Sequence, residues 1–354
     1  MAKLSKLFAY RQGLPTIFVG AVVLLYVAGV LASHGGDPLA FVDYDGHFAY
    51  QIALRWTTAV SYLDVPAYRF QRIFYPLLAR IVALGQSGLV PWALIGVNMA
   101  AIGLGTWATE GLLTRLGVSG WYALVYGLYG GQFVALRTNL TEPVAQALIM
   151  LAMLAWTQKR LYWAVLAFAL AALTKETTLI FVAAYGLYSL RERQWGQAVL
   201  LSLSGVPFLV MQIILWYWLG APGVGSGGAG ATSFTLVPFG GWLVVAQTGW
   251  MAFLLVSLTI VPMVVVPVLF ALGISLQALW RGLHHPYVYC LLLNGLVILF
   301  LLRSTLQEAA AMVRFMQAVM VSLLLYGGLV HSRRILNYSV LWIFTNVIWV
   351  KGTA

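Results

Sequence analysis

The chain has 354 residues, of which 20 are Lys or Arg and 9 are Asp or Glu. Charged residues make up 8% against 62% hydrophobic, the mean hydropathy is +0.90 and the net charge is +11. A soluble domain carries about a quarter charged residues, so a soluble enzyme, a disordered chain and a disulfide-stapled secreted domain are excluded. The remaining class is an all-α polytopic membrane protein, a single transmembrane domain over 1–354. The apolar runs are continuous rather than alternating, which argues against a β-barrel. The basic residues are scattered singly or in pairs between apolar spans, so the positive charge reflects membrane orientation, and no nucleic acid is expected as a partner. The one cysteine, Cys290, leaves no intrachain disulfide and no Cys-based metal site.

Lys3, Lys6 and Arg11 precede an apolar stretch from Leu14 to Ala32. It is long enough to span a bilayer, so it reads as an uncleaved first helix and not as a signal peptide. Apolar segments then predict helices near 89–109, 118–136, 141–157, 161–174, 178–190, 196–219, 252–279, 287–302, 315–331 and 336–350. With 14–33 these make about eleven spans, within a range of 9–12. The run 237–250 reads as an interfacial or re-entrant piece.

With the N-terminus in the cytoplasm, alternation collects Lys3, Lys6, Arg11, Arg115, Lys159, Arg160, Arg191, Arg193, Arg281, Arg333 and Arg334 on the inner side. This is the positive-inside pattern of an integral membrane protein. The outer side receives Arg55, Arg69, Arg72, Arg80, Arg137, Lys175, Arg303, Arg314 and Lys351, together with seven of the nine acids. Orientation does not explain mixed-sign charges on that face; a functional site does.

Residues 34–88 form the one long segment between clear spans, a first outer loop. Phe48, Ile52 and Trp56, widened by Ala49 and Ala53, make the stripe of an interfacial amphipathic helix. Asp43 and Asp45 stand at its start. Either suits a helix cap, and the two carboxylates with His47 nearby also have the makings of a divalent-ion site. Asp45 is favoured as a carboxylate that takes a proton from a hydroxyl at the membrane surface, with Asp43 its competitor. Further on, Arg69 and Arg72 share a helical face and suit phosphate oxygens or anionic lipid head groups. Residues 73–84 predict a second interfacial helix.

Tyr44-Asp45-Gly46-His47-Phe48, followed by Ile52-Ala53 and by Phe74-Tyr75-Pro76-Leu77, resembles the GT-C superfamily of integral-membrane glycosyltransferases. The likeness is to the mannosyltransferases that add the second mannose of GPI anchors and to their bacterial relatives. That group carries an aromatic-Asp-[Gly/Ala]-x-[His/Phe/Tyr]-Phe pattern; here the His falls one place early. The detailed likeness covers roughly 43–80. It implies a catalytic Asp in the first outer loop, Asp45, and a donor sugar carried on polyprenyl phosphate. It also implies an acceptor glycan or glycolipid among membrane lipids and a place in a bacterial inner (plasma) membrane; no cofactor is expected, with a divalent metal left open.

The remaining outer polar residues complete the candidate substrate-binding set of His47, Arg69, Arg72, Arg137, Glu142, Lys175, Glu176, Arg303 and Arg314. Asn139-Leu140-Thr141 is a glycosylation sequon set tight against the membrane. Thr141-Glu142-Pro143 reads as a helix start, with Glu142 also suited to a sugar hydroxyl. Lys175-Glu176 is either a hydrated turn or a phosphate contact with its counter-charge. Arg314, opening a span, suits a lipid phosphate. Gly220–Gly230 holds six glycines and one proline; it lacks the Lys of a P-loop and reads as a flexible outer loop or lid. The expected reaction is inverting hexosyl transfer, with Asp45 as base and the basic residues stabilising the leaving phosphate without a required metal. The rival classes are a secondary transporter, a lipid flippase and a non-catalytic scaffold. Against the first, no repeat relates the two halves and the acids gather on one side.

Overall fold

The computed structural model describes residues 13–229, 232, 236–301 and 303–346, and among them every element is helical. The chain opens with α1 (Leu14–Ser33). The long loop folds as α2 (Gly46–Arg55), α3 (Pro66–Phe70) and α4 (Phe74–Val82). Then follow α5 (Val90–Arg115), α6 (Gly130–Arg137), α7 (Glu142–Thr157), α8 (Leu161–Thr174) and α9 (Leu179–Arg191). The remainder comprises α10 (Trp195–Leu219), α11 (Trp250–Trp280), α12 (Pro286–Leu299), α13 (Arg303–Gln307), α14 (Ala309–Leu329) and α15 (Arg333–Val340).

The helices α1, α5, α10, α11 and α14 are long and apolar enough to cross a bilayer, and α7, α8 and α12 are shorter apolar helices. The protein is membrane-embedded. Of the eleven expected spans, five reach bilayer length among the described residues. At 1.5 Å per residue, the 14 residues of α8 cover about 21 Å, short of the roughly 30 Å hydrocarbon core.

Two expected spans are corrected. Residues 118–136 do not form one helix: a 3-10 turn at Gly120–Ala123 and a single turn at Leu124–Gly127 precede a break at Tyr129. Gly127, Gly130 and Gly131 weaken the helix around this break. Gly130 packs so closely that an added Cβ would lie 2.5 Å from Thr345 Oγ1, and its N–H donates to the same hydroxyl. The last apolar segment is helical only to Val340 and continues as a 3-10 stretch, Leu341–Asn346. Residues 347–350 of that segment, and Lys3, Lys6, Arg11 and Lys351, lie outside the described residues. The 237–250 run forms one turn, Gly240–Leu243, and a 3-10 stretch, Val244–Thr248.

Burial follows the membrane logic. Val19, Val23 and Val27 bury one stripe of α1 against Ile95 and Ile102 of α5, while Ile17, Leu24 and Leu25 face outward. α14 runs through the centre, buried along most of its length against α12 and α6. At one end of the bundle, Glu110 accepts hydrogen bonds from the Gly13 N–H and Thr16 Oγ1, Gly117 meets His331 and Tyr122 meets Asn337. The loop helices gather at the other end. α2 lays Ala49 and Ala53 on Tyr75, Ala79 and Leu94. Arg80 donates to the Ala53 and Leu54 carbonyls (2.8 and 3.0 Å), closing the C-terminus of α2.

Candidate active site

Asp45 is set by close backbone packing. Gly46 opens α2 against the turn before α7: a Cβ there would sit 1.7 Å from the Thr138 carbonyl oxygen, so only glycine fits. Asn98 fastens this turn by donating to the Leu140 carbonyl (3.1 Å) and to Tyr75 Oη (2.9 Å). Tyr44, just before Asp45, has φ of +51°, a left-handed conformation costly for a non-glycine residue. The Asp45 side chain makes no capping hydrogen bond; instead Oδ1 lies 3.0 Å from Arg69 Nη2. The cap reading of Asp45 is therefore not realised.

Arg69 is buried and doubly held. Asp64 receives its Nε at 2.7 Å and its Nη2 at 2.8 Å, and the guanidinium stacks over Phe48 at 4.0 Å. Burial opposes ionisation of Asp64. The Arg69 hydrogen bonds and the N–H groups of Ala229 and Val65 outweigh it and hold the carboxyl down at about 2. The glycine-rich loop crosses here with its described residues Gly220–Ala229: the Ala229 N–H reaches Asp64 Oδ2 (2.8 Å), and a Cβ on Gly228 would meet Arg69 Nη2 at 2.6 Å. Arg72 pairs with Glu176 through two hydrogen bonds, 2.9 and 2.5 Å, and donates to Tyr68 Oη at 2.7 Å. Deeper, Lys175 Nζ and Arg314 Nη1 share Glu142 Oε1 at 2.8 and 3.1 Å. All three are buried, so this triad holds two cations against one anion, an excess suited to an anionic ligand.

Two cavities adjoin on these groups. A narrow cleft of about 30 Å³ is lined by Asp45, Arg69, Arg72, Asn139, Glu142 and Arg314, among others. A wider cavity of about 350 Å³ has Tyr44, Asp45, Tyr68, Arg69, Glu308 and Arg314 in its wall, with Ser304 and Thr305. Asp45, Arg69 and Arg314 face both.

The structure brings together Asp45, Arg69, Arg72, Glu142, Lys175, Glu176 and Arg314. Lys175 and Glu176 form no hydrated turn: each is spent on an internal ion pair, and neither lines either of these two cavities. Four expected residues stand apart. Asp43 is exposed and accepts from the Tyr44 N–H. His47 is exposed, and its nearest polar partner is Gln51 at 3.4 Å. Arg137 donates to the Ala40 carbonyl and so braces the loop. Arg303 lines neither cavity. Among the described residues no three His, Cys, Asp or Glu side chains converge as a metal site would require. The candidate set read from the sequence left out Tyr44, Tyr68, Asp64, Asn139 and Glu308. Asp64 carried a signal, an acid five residues before an arginine in the same loop; Tyr44 Oη donating to Glu308 at 2.7 Å joins positions 264 apart and carried none.

Compared with family models, curated proteins and solved structures, the chain finds no match, so its function is argued from the site itself.

Proposed function

We propose that the protein is a GT-C-type glycosyltransferase of a bacterial inner membrane. It moves a hexose, in the first instance mannose, from polyprenyl phosphate to an acceptor hydroxyl on a glycan or glycolipid at the outer face. The observation that carries this reading is the convergence of Asp45, Arg69 and Arg314 on two adjoining cavities, beside the short loop helices α2 and α3.

Asp45 takes the proton of the acceptor hydroxyl. That oxygen bonds to the anomeric carbon from the face opposite the phosphate, the bond from that carbon to the phosphate oxygen breaks, and its electron pair leaves with polyprenyl phosphate. Configuration inverts. Arg69 and Arg314 meet the charge that builds on the phosphate. Arg69 touches Asp45 at 3.0 Å before substrate arrives. A donor phosphate competes for that guanidinium and releases the carboxylate to act as base.

The test is transfer from radiolabelled polyprenyl-phosphate mannose by purified protein supplied with an extract of membrane lipids and glycans. Transfer is expected from wild type and from Asp43→Asn, and is expected to vanish in Asp45→Asn. Transfer surviving in Asp45→Asn moves the base elsewhere. No transfer from any polyprenyl-linked sugar by folded protein overturns the enzymatic reading in favour of transport.

A further inference from the structure

Asn139 belongs to the same site but has no assigned part in the chemistry above. It is fully buried, so its sequon is no glycan acceptor. Its backbone is anchored: φ is +51°, its N–H reaches the Leu136 carbonyl, and its carbonyl oxygen lies against Gly46. Its side chain is not anchored. Neither Nδ2 nor Oδ1 has a hydrogen-bond partner, and the residue lines the narrow cleft. An unpartnered buried amide is costly, a cost that a ligand group entering the cleft would recover.

The chemistry of the cleft narrows what that group is. Arg69, Arg72 and Arg314 only donate, and the carboxylates of Asp45 and Glu142 only accept. The Asn139 amide offers both a donor and an acceptor. A phosphate oxygen, which only accepts, would leave Oδ1 unpaired; a hydroxyl both donates and accepts. The cleft volume of about 30 Å³ exceeds the roughly 10–15 Å³ that one water-sized group needs, but admits little more. We propose that Asn139 is a specificity-determining residue that binds a hydroxyl of the donor sugar in this cleft, while the arginines hold the phosphate. This rests on the glycosyltransferase reading.

The left-handed backbone supplies a clean variant. Glycine adopts φ > 0 without strain, so Asn139→Gly removes the amide and leaves the turn intact. Binding of polyprenyl-phosphate mannose and of polyprenyl phosphate without sugar is measured to wild type and variant in nanodiscs, alongside thermal unfolding. Wild type is expected to prefer the sugar-bearing lipid. Asn139→Gly is expected to lose at least tenfold in affinity for that lipid, with unchanged affinity for the sugarless one and an unchanged Tm. Unchanged binding of both lipids, an equal loss for both, no wild-type preference for the sugar, or a fall in Tm each overturns the proposal. The glycosyltransferase reading is judged separately, by transfer: a sugar preference that Asn139→Gly abolishes, in a protein that transfers nothing, would uphold Asn139 and sink the reaction.

Discussion

Arg69 stands between two carboxylates, gripped by Asp64 through two hydrogen bonds of 2.7 and 2.8 Å while its Nη2 also reaches Asp45 at 3.0 Å. The arrangement divides labour: Asp64 fixes the guanidinium plane, and Asp45 keeps one face open to the cavities. With its carboxyl held down at about 2, Asp64 stays ionised at any pH near neutrality. Replacing it by Asn keeps the shape and removes the charge that anchors Arg69. The guanidinium then turns to Asp45 as its main counter-ion, blocking the proposed base. Asp64→Asn is expected to lower kcat/KM for sugar transfer by about ten- to a hundredfold, the range of one charge-assisted hydrogen bond. Restoring the charge with Asp64→Glu should recover part of the loss. Steady-state kinetics on the three proteins checks this; equal activity of wild type and Asp64→Asn removes Asp64 from the site.

The Glu142 triad makes a stability prediction. One buried carboxylate oxygen serves both Lys175 and Arg314. Glu142→Gln removes the carboxylate that Lys175 and Arg314 share; Arg314 keeps Asp45 and Glu308 nearby, while Lys175 loses its ion-pair partner. Removing one partner of a buried ion pair costs about 3–5 kcal/mol. The variant is expected to unfold at markedly lower temperature, and Glu142→Gln with Lys175→Met is expected to regain much of that loss, since one orphaned charge goes with it. Thermal unfolding in detergent measures both; a double variant no more stable than the single one would show that Lys175 does not depend on Glu142.

How far the sequence reveals this site depends on the range of each contact. Asp45, Arg69 and Arg72 were legible because they sit in one loop, on helices whose apolar spacing shows through. The expected helix start at Glu142 and the helix over 73–84 also formed, at Glu142–Thr157 and Phe74–Val82. The partner choices were not legible. In the sequence, Lys175 is as well placed for solvent or phosphate as for an acid; only the packing of α7, α8 and α14 sets it on Glu142. Arg137 and Arg303 have the same side chain as Arg314, yet only Arg314 faces the cavities. Charge type is written locally, whereas burial is decided by helices far apart in sequence. The break at Tyr129 escaped the hydropathy pattern because glycine counts as apolar while weakening the helix it sits in.

Gly46 offers a sharper test of local packing. The GT-C pattern that its neighbourhood resembles accepts Gly or Ala at this place. In this chain an alanine Cβ would fall 1.7 Å from a backbone oxygen, and backbone cannot move aside as a side chain tip can. Gly46→Ala is expected to cost about 3 kcal/mol or more, at the upper end of overpacking effects, and to displace Asp45 from Arg69. Unfolding midpoint and transfer rate should fall together. A variant of wild-type stability and rate would mean that the 138–139 turn yields easily and does not hold the base in place.

At the opposite end of the bundle, His285 sets a pH dependence independent of the site. It caps α12: Nδ1 accepts the Tyr287 N–H at 3.2 Å, so that nitrogen must be unprotonated. The aromatic rings of Tyr287 and Tyr188 lie 4.5 and 6.3 Å away, and burial pushes the imidazole down from 6.5 to about 4. Between those values the unfolded chain binds the proton and the folded one does not, so stability rises with pH across the window. The contribution is complete above pH 6.5 and is lost as pH falls toward 4, amounting to about 3 kcal/mol by the conversion of 1.36 kcal/mol per pKa unit. His285→Asn keeps a cap acceptor and removes the titration. Wild-type Tm is expected to drop between pH 6.5 and pH 4, and the Asn variant to show a flatter profile over that interval. Parallel profiles for the two proteins would show that other groups govern the acid sensitivity and that His285 caps α12 in either protonation state.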